Sequence, residues 1–259
     1  MLLADKVAIV SGVGSGLGRE LALAFAREGA SVVLGARSEG FLREVADDIT
    51  GRGGTALVVP TNIVDRAQCA RLVATAVGEL GPVDCLVNNA FRMDTFQSFE
   101  EVDLDTWRKI AEVNLFGTLQ LTKEAVVPMK AQGAGSIVFV NSMIVRKVQP
   151  NQGGYTISKA ALLSAAQVLA KELGPVGIRV NSILPGAMWG PNVQTWLKML
   201  AEANGTSEQD EYDKIAAEMP LGLIPPDDDV ANAAVFFASD LSRVITGQSL
   251  DVNGGEVFH

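Results

Sequence analysis

The chain has little positive charge, few cysteines and almost no histidine. Its 259 residues include 21 Lys and Arg against 30 Asp and Glu, which gives a formal net charge of −9 at pH 7. A nucleic-acid surface needs clustered Lys and Arg, so this charge argues against nucleic acid as a partner. The single histidine is the last residue and no cluster of metal-ligating residues accompanies it, so we expect no metal site.

The two cysteines, Cys69 and Cys85, have neighbours that predict a helix and a buried strand. Cysteine packs there as a small apolar residue, so we expect no disulfide. No apolar run reaches the roughly 20 residues that span a bilayer. The N-terminus lacks the cationic region of a signal peptide. We therefore expect a cytoplasmic protein without a membrane partner.

Short apolar runs alternate with segments of helical periodicity along the whole chain. The hydrophobic content is 48%, enough for one large α/β domain over 1–259. This alternation predicts a doubly wound, Rossmann-like fold, with a parallel sheet of about seven strands and helices on both faces. The predicted strands are Val7–Ser11, Ser31–Ala36, Ala56–Pro60, Cys85–Asn88, Ser136–Asn141, Ile178–Leu184 and Ser249–Val252, and helices are predicted over Arg19–Glu28, Arg66–Leu80, Leu104–Val127 and Tyr155–Leu173.

A tyrosine and a lysine stand four positions apart, at Tyr155 and Lys159, with Ser142 13 positions before the tyrosine. Residues at this spacing share one face of a helix. A lysine cation near a phenol favours the phenolate and lowers a pKa that is ordinarily about 10. The phenol can then exchange a proton with a substrate oxygen near neutral pH. The pattern alone is also typical of a core aromatic beside a solvated lysine.

A glycine-rich turn follows the first predicted strand. The segment from Gly12 to Gly18 reads Gly-Val-Gly-Ser-Gly-Leu-Gly and leads into a predicted helix. Strand, glycine turn and helix are the context of a dinucleotide-binding turn. Its glycines let the backbone approach a pyrophosphate, and the helix N-terminus presents free N–H groups to it.

With the spacing G-x-x-x-G-x-G, the chain resembles the short-chain dehydrogenase/reductase family. The tyrosine-lysine pair and Ser142 match that family, as do Asn88-Asn89-Ala90, Asn114 and Pro185-Gly186, in the family's order. The resemblance covers essentially the whole chain. It implies an enzyme that interconverts a carbonyl and a secondary alcohol by hydride transfer, with NAD(P) as cofactor.

The resemblance also assigns roles to individual residues. Tyr155 is the expected general acid and base, Lys159 lowers its pKa and binds the nicotinamide ribose, Ser142 holds the substrate oxygen, and Asn114 anchors a water that connects Lys159 to solvent. Asn114 capping local backbone is the alternative. The expected cofactor-binding residues are Gly12, Ser15, Gly16, Leu17, Gly18, Arg37, Asn62, Ile63, Asn89, Ala90, Tyr155, Lys159, Pro185, Gly186 and Met188.

The end of the second strand favours NADP(H) over NAD(H). An acidic residue there would accept the ribose hydroxyls of NAD, but no carboxylate comes before Glu39, and Arg37 takes the position. A guanidinium pairs with a 2′-phosphate in bidentate fashion. Ser15 tempers this inference, since many NADP-preferring relatives carry a basic residue in the turn. An exposed Arg37 without a ligand is the alternative.

Two positions depart from the family pattern. Phe91 replaces the glycine that usually ends Asn-Asn-Ala-Gly, and Gly190 stands where a threonine often contacts the cofactor phosphates. The segment 187–226 corresponds to a substrate-covering lid, and its aromatic and methionine residues either face a bulky, apolar substrate or pack the lid itself. The family resemblance further implies a homodimer or homotetramer, formed through helices near 104–130 and 155–173 and the last strand.

Two other functions remain open. One is an NAD-dependent alcohol or hydroxysteroid dehydrogenase, which would use the same residues with a different cofactor. The other is a protein that senses NADP(H) or acts as a scaffold without catalysis, because a fold alone does not fix function. Such relatives typically lose the tyrosine or the lysine, and this chain keeps both.

Overall fold

A computed structural model describes residues 1–258, so that the last residue of the predicted domain, His259, lies outside the described residues. One seven-stranded parallel sheet has the order β3-β2-β1-β4-β5-β6-β7. The strands are β1 (Val7–Ser11), β2 (Ser31–Ala36), β3 (Thr55–Pro60), β4 (Cys85–Asn88), β5 (Gly135–Val140), β6 (Ile178–Pro185) and β7 (Ser249–Val252). The predicted fold class is confirmed.

Nine α-helices accompany the sheet in the described residues: α1 (Leu17–Arg27), α2 (Glu39–Gly51), α3 (Arg66–Leu80), α4 (Leu104–Ala111), α5 (Thr118–Gln132), α6 (Gly153–Leu173), α7 (Pro191–Asn204), α8 (Glu208–Ala216) and α9 (Asp227–Ala238). One apolar core joins the sheet to α1, α2 and α9. A second core joins its other face to α3, α5 and α6. Because both faces are covered, β1 and β4 are buried at every position and read as continuous apolar runs.

The strand order reverses direction at β1. The chain runs outward from β1 to β3 and then returns to place β4 on the other side of β1. Ligands of doubly wound sheets bind outside the carboxyl ends of the strands at such a switch point. The glycine turn after Ser11 and the asparagines that end β4 therefore meet at one edge of the sheet.

The sequence predicts one unbroken helix over Leu104–Val127, and this prediction is wrong. A π-helical turn, Glu112–Gly117, separates α4 from α5. Asn114 lies in this turn, fully buried, and its side chain hydrogen-bonds the backbone of Arg92 and the hydroxyl of Ser158. π-turns of this kind are often found at functional sites. Here the wide turn lets a helical side chain reach partners in two other segments.

The segment 187–226 carries a small core of its own. Leu197, Ala216, Met219 and Ile224 form its buried centre. Trp189 and Tyr212 pack edge to face with ring centroids 4.8 Å apart. These two aromatic side chains therefore contribute to packing within the segment. Its role as a lid over the substrate stays a proposal.

Two glycines allow α6 to begin directly against α4. A Cβ at Gly153 would lie 2.3 Å from the Trp107 ring, and one at Gly154 would lie 2.7 Å from it and 3.0 Å from Ile110. Such distances are well below van der Waals contact. The indole therefore lies over the first turn of α6, immediately before Tyr155.

We expect Gly154→Ala to destabilise the protein by about 1–3 kcal/mol, because the new methyl group forces Trp107 or Ile110 out of place. Gly78→Ala is the matched control, since Gly78 is an exposed glycine of α3 and no atom lies within 4 Å of the place where its Cβ would stand. The control should gain up to about 1 kcal/mol from helix propensity. Urea unfolding measures both variants, and equal stabilisation of both would contradict the packing argument.

Candidate active site

The glycine turn is held in contact with the end of β4. Gly12 has φ +77°, and a Cβ there would lie 2.4 Å from the Ala90 backbone. The Asn89 amide donates to the Gly12 carbonyl oxygen at 2.7 Å. Gly18 approaches the same carbonyl so closely that its Cβ would lie 2.3 Å from it. No side chain larger than hydrogen fits at either position.

The other side of the turn is open. Apart from Gly14 and its two chain neighbours, no described residue has an atom within 4 Å of the place where a Cβ of Gly14 would stand. Helix α1 begins after Gly16, which provides no side-chain cap. The first N–H groups of a helix have no partner within the helix and attract anions. The turn therefore combines a close backbone approach with an uncapped helix N-terminus.

A cleft of about 550 Å³ lies beside this turn, at the carboxyl ends of β1, β2 and β4. It is lined by Gly12, Val13, Gly14, Ala36, Arg37, Ser38, Thr61, Asn62, Ile63, Asn89, Ala90, Phe91, Arg92 and Val113. Six of the predicted cofactor residues are among these: Gly12, Arg37, Asn62, Ile63, Asn89 and Ala90. The other nine do not line it. Ser15, Gly16, Leu17 and Gly18 form the rest of the turn and the start of α1, Tyr155 and Lys159 lie on α6, and Pro185, Gly186 and Met188 lie at and beyond the end of β6.

The three side chains predicted to carry the chemistry come together beyond β5. Tyr155 and Lys159 lie on consecutive turns of α6, with the Lys159 Nζ 5.7 Å from the centroid of the Tyr155 ring. Lys159 is buried and donates to the Val140 carbonyl oxygen at 2.8 Å. Ser142 follows β5 and its side chain hydrogen-bonds Tyr155. These three polar side chains therefore form one small cluster.

Burial disfavours the charged forms of both titratable groups in this cluster. Burial raises the pKa of Tyr155 to about 12, and the hydrogen bond with Ser142 opposes this only in part. Burial lowers the pKa of Lys159 from 10.5 to about 7. The sequence predicts a lowered pKa for Tyr155, so the direction is wrong in this structure. The reason is that desolvation by burial exceeds the lowering due to the Ser142 hydrogen bond, while the Lys159 Nζ donates to the Val140 carbonyl and not to the phenol.

Phe91 lies against the same cluster. Its ring is 6.3 Å from the Tyr155 ring in an edge-on arrangement, and the Lys159 Nζ is 6.0 Å from its centroid. Phe91 is nevertheless half exposed and lines the cleft. The aromatic ring that replaces the family's glycine therefore forms a wall between the cleft and the tyrosine-lysine pair.

Asn114 connects the loop after β4 to α6. Its Oδ1 accepts from the Arg92 N–H at 2.6 Å, and its Nδ2 donates to the Arg92 carbonyl and to the Ser158 hydroxyl, both at 3.0 Å. Ser158 in turn donates to the Tyr155 carbonyl at 2.7 Å. The side chain is thus occupied in positioning the loop and the helix. The water relay through Asn114 stays a prediction.

The sequence reasoning missed a second residue that positions Tyr155. The buried Asp94 accepts the Tyr155 N–H at 2.9 Å, through Oδ2, and the Thr95 N–H at 2.8 Å, through Oδ1. A carboxylate at a helix N-terminus satisfies a free donor and is favoured by the helix dipole. The partners are 61 positions apart, so no local pattern marks Asp94.

The glycine at position 190 has a steric cause. A Cβ on Gly190 would lie 2.0 Å from the Asp227 carboxylate, and one on Gly16 would lie 3.2 Å from it. Asp227 is nearly buried, and burial together with Glu20 raises the pKa of its carboxyl. A threonine at position 190 would require the Asp227 side chain to move, and in this structure an acidic group lies beside the glycine turn.

The lowered pKa of Lys159 makes stability depend on pH. Between pH 7 and 10.5 the native state binds fewer protons at Lys159 than the unfolded chain does. The free energy of unfolding therefore decreases as the pH falls through that range. The variant Lys159→Met removes this dependence. The free energy of unfolding of the variant minus that of wild type should therefore be about 3 kcal/mol more positive at pH 6.5 than at pH 9.5. Urea unfolding at both pH values tests this, with Lys198→Met as a control on the exposed face of α7. An equal difference at the two pH values would show that Lys159 is not desolvated.

Comparison with known proteins places this site in a family. The family described as Enoyl-(Acyl carrier protein) reductase matches residues 12–256. The L-rhamnose 1-dehydrogenase (NAD(P)(+)) of Azotobacter vinelandii is 37% identical, with 98% of each chain covered. The cis-4-hydroxycyclohexanecarboxylate dehydrogenase of Sinomonas cyclohexanicum is 34% identical, over 97% of this chain and 96% of that one.

A solved structure agrees with these relatives. The F189W actinorhodin polyketide ketoreductase with NADPH superimposes with a TM-score of 0.89, at 29% identity and over 97% of both chains. The relatives are named dehydrogenases and the solved structure is a ketoreductase, so their chemistry acts on CH–OH and carbonyl groups. The chain belongs to the short-chain dehydrogenase/reductase family of oxidoreductases.

Proposed function

We propose that the protein interconverts a ketone and a secondary alcohol by hydride transfer with NADP(H), using Tyr155 as general acid and base. The observation that carries this proposal is the cluster of Ser142, Tyr155 and Lys159 beside a cleft that begins at a glycine turn. The cluster offers a proton donor and a hydroxyl to one substrate oxygen. The cleft and its glycine turn offer an anion site to the phosphates of a dinucleotide.

The residues present fit a dinucleotide. The open side of Gly14 and the uncapped start of α1 suit a pyrophosphate, and Asn62 and Ile63 line the cleft where an adenine would lie. Asn89, Ala90, Lys159, Pro185, Gly186 and Met188 would hold the nicotinamide half. When bound, the nicotinamide supplies or accepts the hydride.

Three side chains supply the rest of the reaction. In reduction, the substrate carbon gains the hydride while the Tyr155 hydroxyl gives its proton to the carbonyl oxygen, leaving a phenolate. Ser142 donates to that oxygen as negative charge develops on it. A Lys159 ammonium stabilises the phenolate, which then regains a proton from solvent. In oxidation the phenolate accepts the hydroxyl proton of the alcohol.

Two observations favour NADP(H). Arg37 lines the cleft, and no carboxylate stands among its described lining residues to accept a ribose 2′-hydroxyl. The ketoreductase with a similar fold was solved with NADPH. The name of the rhamnose dehydrogenase includes both cofactors, so an NAD-dependent dehydrogenase is the second candidate. A protein that senses NADP(H) without catalysis is disfavoured by the complete cluster of Ser142, Tyr155 and Lys159.

A ring-bearing, partly apolar substrate suits the site. Phe91 presents an exposed aromatic face beside Tyr155. One relative is named for a hydroxylated cyclohexane and another for a sugar. A flat apolar wall next to the proton donor favours cyclic ketones and alcohols over short linear ones.

The cytoplasm is the compartment that we propose. Cys69 and Cys85 are both buried free thiols, which suits a reducing environment. None of the helices in residues 1–258 combines the length and apolarity that crossing a bilayer requires.

Replacing Tyr155 by Phe should lower turnover by about a thousandfold or more, because it removes the proposed proton donor to the substrate oxygen. NADPH binding should change less than a few-fold. The assay follows oxidation of NADPH and of NADH with cyclic and linear ketones. Tyr212→Phe is the matched control, since it removes the hydroxyl of the chain's other tyrosine and should keep most activity.

Substantial activity in Tyr155→Phe would defeat the proposed mechanism. A preference for NADH would overturn the assignment of Arg37 but not the chemistry. Binding of dinucleotide without turnover of any ketone or alcohol would favour the sensing function.

We also propose a homodimer or homotetramer. Exposed apolar side chains stand on the π-helical turn, α5, α6 and β7, including Phe116, Val127, Ile157, Val168 and Leu250. These elements are the ones through which the family resemblance implies assembly, and they would form a subunit interface if their apolar side chains make one continuous patch. Light scattering of the purified protein should give two or four times 27.3 kDa. A monomer at micromolar concentration would contradict this proposal.

A further inference from the structure

Most arginines of this acidic protein have a defined partner. Of the twelve arginines in the sequence, nine have a side-chain hydrogen bond or ion pair. Within residues 1–258, the guanidinium groups of Arg37, Arg92 and Arg243 have no such partner. Two of these three, Arg37 and Arg92, line the cleft beside the glycine turn.

These two cations stand on opposite sides of the turn. Arg37 follows β2 and Arg92 follows β4, while β1 and its glycine turn lie between those strands. Among the described residues lining the cleft there is no aspartate or glutamate. In a chain with a net charge of −9, the residues that line this cleft therefore carry two unpaired positive charges and no negative one.

Arg92 is also held in a fixed place. The buried Asn114 binds both its N–H and its carbonyl group, at 2.6 and 3.0 Å. The start of the side chain is therefore fixed relative to the cleft, although the guanidinium itself is exposed.

We propose that Arg92 is a second cofactor-binding cation, which pairs with a phosphate of the dinucleotide from the side opposite Arg37. This inference rests on the proposed use of NADP(H). Arg92 would supply the basic group that many NADP-preferring relatives carry in the glycine turn, where this chain has Ser15. A guanidinium forms two parallel hydrogen bonds with one phosphate, and such charge-assisted bonds are strong.

Binding of dinucleotides and their fragments to Arg92→Gln tests the assignment by isothermal titration calorimetry. The titrated ligands are NADPH, NADH, 2′,5′-ADP and 5′-ADP. We expect NADPH to bind at least tenfold more weakly than to wild type, and the loss to shrink as salt is raised because screening already weakens the ion pair. Arg92→Lys should recover part of the affinity. Arg243→Gln, which removes the third unpaired arginine, should bind like wild type.

The fragments identify the phosphate. A loss confined to NADPH and 2′,5′-ADP assigns Arg92 to the 2′-phosphate. A similar loss for all four ligands assigns it to the adenosine 5′-phosphate that they share, and a loss for NADPH, NADH and 5′-ADP alone assigns it to the second phosphate of the diphosphate. Each of these results supports the proposal. Wild-type affinity for all four ligands in Arg92→Gln overturns it, as does a loss that does not depend on salt. The thermal unfolding midpoint of the variant should match that of wild type.

Failure of the proposed function is distinguishable from failure of this inference. If wild type binds NADPH but reduces no ketone, the catalytic proposal fails while the binding data still decide on Arg92. If wild type binds no dinucleotide, both are overturned. If Tyr155→Phe loses turnover while Arg92→Gln binds normally, only the role of Arg92 is overturned.

Discussion

The close approach of two backbones at the carboxyl ends of β1 and β4 determines the rest of the site. The Cα of Gly12 packs on Ala90 with no room for a Cβ, and the Asn89 amide ties the two segments together through the Gly12 carbonyl. Because of this contact, the turn opens away from β4 and α1 starts beside the cleft. The same contact fixes where the loop after β4 begins, and that loop carries Phe91 and Arg92.

The position of Tyr155 depends on contacts made by backbone rather than by its own ring. Asp94 accepts its N–H, Ser158 donates to its carbonyl, and the indole of Trp107 lies over the two glycines before it. These contacts hold the first turns of α6 so that the phenol and Lys159 lie in desolvated surroundings. Desolvation has opposite effects on the two pKa values, raising that of the phenol and lowering that of the amine. The phenol is consequently neutral near pH 7, whereas the amine is close to its own pKa there and can gain or lose a proton.

Features that depend on neighbours in sequence can be predicted, and those that depend on distant partners cannot. Strand periodicity and the glycine turn are local, and each of the seven strands lies within one residue of its predicted bounds. The break in the helix at Asn114 depends on Arg92 and Ser158, which are 22 and 44 positions away. The pKa of Tyr155 depends on burial, which no spacing encodes, and the family pattern describes Lys159 without its bond to Val140.

One departure from the family pattern, Gly190, changes the charge beside the glycine turn. The carboxylate of Asp227 occupies the space that a side chain at position 190 would need, and it also lies close to Gly16 at the start of α1. An anion at this place opposes the negative charge of a dinucleotide phosphate, and its raised pKa shows that its surroundings already disfavour the charge. The threonine hydroxyl is therefore replaced by a group of unfavourable sign. If the site holds a polyanionic cofactor, positive charge elsewhere must offset the Asp227 carboxylate. The cleft offers two unpaired cations for this purpose, Arg37 and Arg92.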